Sequence, residues 1–84
     1  MHRVVFDSKT IEFLEKTEKT VAKRIYDKIS STKSNPHHFW ERLTGRKDYK
    51  LRVGNYRVIA DIDDNSEVIY ITLIGHRKNV YKNI

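Results

Sequence analysis

"DYKLRVGNYRVIADI", residues 48–62, contains two β-rich runs joined at Gly54-Asn55. That dipeptide suits a two-residue hairpin loop, because glycine supplies the unusual backbone dihedrals such a loop requires. In this register Val53 faces Tyr56, Arg52 faces Arg57, Leu51 faces Val58, and Lys50 faces Ile59. Side chains alternate between the two faces of a strand. One face therefore holds Tyr49, Leu51, Val53, Tyr56, Val58 and Ala60, and reads as core. The other holds Asp48, Lys50, Arg52, Arg57, Ile59 and Asp61, and reads as open to water. Like charges placed directly opposite cost up to ~1 kcal/mol. Asp48 and Asp61 lie further along and offset part of this. Two readings follow: a solvated face whose cations splay apart, or an anion site in which an arginine pair grips a phosphate and a lysine adds a compact charge.

The runs on either side extend the sheet. "EVIYITLI", residues 67–74, follows the turn-like "DDNS" and reads as a third strand. A tight turn at Asp64-Asn65 places Ile69, Ile71 and Leu73 on the apolar face, beside Ala60, Val58 and Tyr56. Tyr70 and Thr72 then fall on the cationic face, where Tyr70 could present its ring to a base. Upstream, "HRVVF", residues 2–6, reads as a first strand, and Asp7 or Ser8 can cap a following helix. Ile11 and Leu14 share one helical face, and Thr17 or Thr20 marks a restart. Val21, Ala22, Ile25, Tyr26 and Ile29 follow the spacing of a second amphipathic helix, which fades before Pro36. The helix pair reads as an antiparallel hairpin covering the apolar face. "HHFWERLTGRKD" reads as a connection whose Phe39, Trp40 and Leu43 plug the core edge, with stacking on bases as the alternative. The expected fold is α+β: an N-terminal strand, a helix pair, a three-stranded antiparallel meander in one sheet, and a short tail.

The 84 residues allow one domain with a modest core. The formal net charge of +6 points to an anionic partner, such as nucleic acid or an acidic protein. With no cysteine, the chain has no disulfide, thiolate metal site or cysteine nucleophile. No apolar run approaches the ~20 residues of a membrane span, and "MHRVVFDSKT" lacks a signal-peptide core. The expected compartment is the cytoplasm. His37 and His38 belong to no recognisable metal-ligand set, and the expectation is no metal and no cofactor.

The closing "GHRKNVYKNI" adds His76, Arg77, Lys78, Tyr81 and Lys82 at one end of the cationic face. No glycine-rich phosphate loop, nucleophile motif or paired acid and base is present. Lysine, arginine, tyrosine and one histidine suit RNA cleavage without metal. The substrate supplies the nucleophile, its own 2′-hydroxyl. Arginines stabilise the phosphorane, and a Lys, Tyr or His moves protons if its pKa is tuned toward neutrality. Crowding of cations makes Lys50 a candidate base.

"YKLRVGNYRV", together with "GHRKNVY" and the element order, resembles the RelE toxins of the RelE/ParE superfamily, the toxin halves of type II toxin–antitoxin modules. The resemblance covers nearly the whole chain as a single domain, 1–84. It implies a ribosome-dependent endoribonuclease, or mRNA interferase, that cuts mRNA in the ribosomal A site without metal. The products would be a 2′,3′-cyclic phosphate and a 5′-hydroxyl. It assigns proton transfer to Lys50, phosphorane stabilisation to Arg57 and Arg77, and orientation or protonation to Tyr81. Arg52, Arg46, Lys47, His76 and Lys78 would support RNA binding. The chain departs from the family in two places. Asp48 stands where the family's sheet carries a lysine, and the tail is about two residues shorter before Tyr81; His76 is a further candidate for a proton-transfer role. The resemblance also implies a RelB-type antitoxin and a toxin–antitoxin hetero-oligomer. The alternatives are a ParE-like inhibitor of DNA gyrase, which acts by binding, and an inactive RNA- or antitoxin-binding relic.

Overall fold

The computed structural model of the protein describes residues 1–80. Chain order is β1 (Arg3–Phe6), α1 (Ser8–Lys16), α2 (Lys19–Ser31), α3 (Pro36–Phe39), β2 (Glu41–Arg42), β3 (Tyr49–Val53), β4 (Tyr56–Asp63), β5 (Val68–His76) and α4 (Arg77–Val80). The strands form one sheet in the order β1-β5-β4-β3-β2. β1 pairs with β5 in parallel, and the other pairings are antiparallel.

Asp7 caps α1 by accepting a hydrogen bond from the Thr10 amide at 2.9 Å. Thr10 is buried and donates its hydroxyl to the Asp7 carbonyl, while Ile11, expected on the inner face, points outward. Thr17 turns to extended backbone and separates α1 from α2. Ile25 and Ile29 of α2 pack on Leu51, Val53, Val58, Ala60, Ile69, Ile71 and Ile74. Burying each of these large aliphatic side chains contributes about 1.5–3 kcal/mol before entropy is counted. Trp40 closes the core edge and donates Nε1–H to Thr32 Oγ1 at 3.0 Å.

The β3–β4 hairpin has the register its turn dictates, with Val53 opposite Tyr56 and Arg52 opposite Arg57. Gly54 has φ +58°, the left-handed conformation that the loop needs.

The third strand corrects three expectations. The β4–β5 loop spans four residues, 64–67, instead of turning tightly at Asp64-Asn65. Asp63 Oδ1 accepts from the amides of Asn65 and Ser66 and shapes the longer loop. Ile69 and Ile71 stay inside, because the register moves by an even number, and now lie opposite Ile62 and Ala60. A bulge at Thr72 then reverses the alternation: Ile59 pairs with Leu73, and Val58 with Ile74. Ile74 therefore enters the main core in place of Leu73. Leu73 turns to the opposite face and packs with Ile59, Leu43 and Val80 in a second apolar cluster. The face expected to be open to water is thus partly covered. Two further elements lie in the expected connection: α3, with Pro36 in its first turn, and the two-residue strand β2.

Candidate active site

Lys50, Arg52 and Arg57 share one face of the β3–β4 ladder, as alternation requires. Their environments differ. Arg52 is exposed, Lys50 is half-buried, and Arg57 is only 9% exposed. Arg57 Nη1 donates to the carbonyls of Gly54 at 3.2 Å and Tyr56 at 3.0 Å. Those bonds orient the guanidinium plane and, among the described residues, leave Nε and Nη2 without a hydrogen bond. Gly75 lies directly opposite Arg57 on β5, and Val80 of α4 packs onto it.

Lys50 does not stand among cations alone. Glu41 of β2 is its register partner, with Oε2 3.9 Å from Nζ. The carboxylate relieves the crowding expected to activate Lys50. Glu41 also joins Lys28, Phe39, Lys50, Leu51, Arg52 and Arg57 around a cleft of about 300 Å³. Lys28 sits over the Phe39 ring, 5.2 Å from its centroid. Sequence reading missed Glu41, Lys28 and Phe39 as cleft residues. Two-residue β2 has no periodicity, and Lys28 comes from a helix remote in sequence.

Arg77 begins α4, where its amide donates to the Asn55 carbonyl at 2.8 Å. This ties the start of α4 to the β3–β4 turn, while the Arg77 side chain is exposed and is not among the residues that line the cleft. Lys78 is exposed, and its amide meets His76 Nδ1 at 3.4 Å. His76 itself is on the other face. It pairs with Tyr56, whose ring lies 5.7 Å from the imidazole and 6.2 Å from Phe13. The Thr72 bulge sets this placement, so His76 and Arg57 occupy opposite sides of the sheet.

Arg46 and Lys47 lie in the β2–β3 loop, outside the cleft. Arg46 binds both oxygens of Asp48 at 2.9 Å. That guanidinium holds the Asp48 carboxyl below the usual carboxylate range, against the opposing effect of burial. Tyr70 pairs with Asp61, four positions along β4 from Arg57. At ~3.4 Å per residue it is too distant to share the cleft. Tyr81 and Lys82 lie outside the described residues. Among those described, no group of three or more His, Asp or Glu side chains could hold a metal ion.

The cleft therefore presents one oriented, shielded arginine, one exposed arginine and a lysine–glutamate pair. It can bind an anion with bidentate geometry and offers Lys50 and Glu41 for proton movement.

Comparison with known proteins assigns the family. No curated protein matches the chain. Among solved structures, the RelBE2 toxin–antitoxin complex from Mycobacterium tuberculosis contains a similar fold, with TM-score 0.79 and 20% identity over 90% of this chain and 98% of that one. A free-state mutant of the E. coli toxin RelE gives 0.77 and 21% over 95% and 87%. The archaeal RelE–RelB complex from Pyrococcus horikoshii OT3 gives 0.74 and 24% over 90% and 94%. The family model described as the ParE toxin of the type II toxin–antitoxin system parDE matches residues 4–81. The chain thus belongs to the ParE toxin family, within the RelE/ParE superfamily, and is the toxin of a type II toxin–antitoxin system.

Proposed function

We propose that this toxin is an mRNA endoribonuclease that acts on the ribosome and needs no metal. The observation that carries this reading is the environment of Arg57: buried, fixed by two carbonyls, opposite Arg52, and facing a cleft that also holds Lys50. In the reaction, the RNA 2′-oxygen attacks the adjacent phosphorus and loses its proton. The bond from phosphorus to the 5′-oxygen breaks, and that oxygen takes up a proton. A 2′,3′-cyclic phosphate and a 5′-hydroxyl result, so no redox partner or outside nucleophile is required. Arg57 and Arg52 stabilise the charge that grows on the phosphorane. A preorganised donor of this kind contributes about 10²–10³ in rate. Arg77 adds charge from the start of α4. Lys50, paired with Glu41, is the proton-transfer group nearest the arginines, and Tyr81 is the further candidate carried by the resemblance to RelE toxins.

Ribosome dependence also rests on that resemblance, in "YKLRVGNYRV" and "GHRKNVY". A RelB-type antitoxin is the proposed partner, in keeping with RelB-bound toxins among similar folds. The match to the ParE toxin family keeps the alternative that the resemblance carries, inhibition of DNA gyrase by binding, as the second reading. One experiment separates the two. Purified toxin is added to a translating extract and, separately, to gyrase with relaxed plasmid. Cut mRNA bearing 5′-hydroxyl ends, with supercoiling unaffected, supports the nuclease. Intact mRNA with blocked supercoiling overturns it.

A further inference from the structure

β3 is paired to β2 only through Tyr49 and Lys50, so its edge is unpaired from Leu51 to Val53. Two openings meet along this edge. One is the cleft described above. The other is a groove of about 680 Å³ between α2 and the β3–β4 turn, lined by Thr20, Lys23, Arg24, Asp27, Lys28, Arg52, Val53 and Gly54. Lys28 and Arg52 line both.

The groove is basic and only weakly neutralised. Its single carboxylate, Asp27, lies 2.7 Å from Lys23. Lys28 lies over the Phe39 ring, and among the described residues the side chains of Lys28, Arg24 and Arg52 form no ion pair or side-chain hydrogen bond. The Arg24 guanidinium lies on the bare face of Gly54, where a β-carbon would stand 2.6 Å from Nη2. The glycine that makes the hairpin turn leaves room for this arginine to lie against the turn. Arg24 and Lys28 are one helical turn apart, with ~5–6 Å between β-carbons, and both face the same groove.

We infer that this groove is a second phosphate subsite, which takes a phosphodiester of the RNA strand neighbouring the one cut. The inference rests on the nuclease reading and extends it. RNA runs from Arg57 across Arg52 onto Lys28 and Arg24. The substrate is then a strand several nucleotides long, gripped by its backbone on one side of the cut.

Binding of RNA carrying 2′-O-methyl groups, which has no free nucleophile, tests this with the full chain. The probes are a dinucleotide and a hexanucleotide. The wild type is expected to bind the hexamer more tightly and with a steeper salt dependence. Arg24→Gln, at a residue that lines the groove and not the cleft, should weaken the hexamer several-fold and lower its salt slope by ~0.7, the value of one lost phosphate contact. Dinucleotide binding should stay unchanged. Arg24→Lys should retain part of the hexamer's affinity, which a purely structural role for Arg24 would not explain. Arg57→Gln should weaken both probes. Hexamer binding by Arg24→Gln equal to wild type, while the wild type still cuts translated mRNA, overturns the subsite and leaves the nuclease standing. Equal loss of both probes also overturns it. Unchanged RNA binding with weakened antitoxin binding would give the groove to an acidic protein instead. No binding of either probe and no cutting by the wild type removes both proposals.

Discussion

Val80 packs onto Gly75 so closely that a β-carbon at position 75 would lie 2.9 Å from Val80 Cγ2. Gly75 is also the register partner of Arg57. Four residues after the strand ends, α4 has thus folded back onto the register partner of the arginine on which the proposed chemistry depends. Gly75→Ala is expected to push Val80 and α4 outward, at an overpacking cost of about 1–3 kcal/mol. Urea denaturation should show this loss, and cleavage should fall with it. An alanine variant of unchanged stability would mean that α4 is not held by this contact.

Arg57 serves the fold as well as the site. Arg57→Gln removes two hydrogen bonds to the turn carbonyls, each worth about 0.5–1.5 kcal/mol net. Arg57→Lys keeps a charge but loses the planar fork. Both variants should lose most cleavage activity while remaining folded by circular dichroism. Lysine restoring full cleavage would show that the site needs charge without bidentate geometry.

Trp40 and Thr32 form the hydrogen-bonded edge of the core. Trp40→Phe removes the indole donor and part of the ring, and should cost about 1–3 kcal/mol in denaturation. Thr32 still donates to the Ile29 carbonyl at 2.7 Å, so its hydroxyl remains partly satisfied. A destabilisation well below this range would indicate that the edge repacks freely.

Asp48 carries a pH signature. Arg46 lowers its carboxyl pKa in the folded state, so the pair stabilises the fold in full above the ordinary carboxylate value of ~4. The contribution is lost as pH falls through the lowered folded value. The Asp48 side chain is 13% exposed but its partner is 44% exposed, which limits the pair to about 0.2–1 kcal/mol. The melting-temperature difference between wild type and Asp48→Asn should be constant from pH 5 to 7 and shrink below about pH 4. A difference that grows on acidification would contradict the pairing.

The β3–β4 hairpin was legible in sequence because Gly54-Asn55 sets both turn and register, and alternation then places Lys50, Arg52 and Arg57 together. The main core followed from the same alternation and from the spacing of Ile25 and Ile29. The Thr72 bulge was not legible. "ITLIG" alternates equally well in a straight strand, and only the structure puts Leu73 with Ile59 and His76 with Tyr56. The burial of Arg57 was hidden for a related reason. Val80 packs on Gly75, the register partner of Arg57, and the apolar cluster there draws Leu43, Ile59 and Leu73 from separate segments. Glu41 and Lys28 reach the cleft through tertiary contacts that no local pattern encodes.

The central claim is that an oriented Arg57 drives cleavage of mRNA on the ribosome. The direct measurement is the single-turnover rate of cutting on ribosomes programmed with a defined mRNA, for wild type and Arg57→Gln at saturating toxin. A rate lower by about 10²–10³ in the variant, with ribosome binding retained, is the predicted result. Equal rates for the two proteins, or no cutting by the wild type, would contradict it.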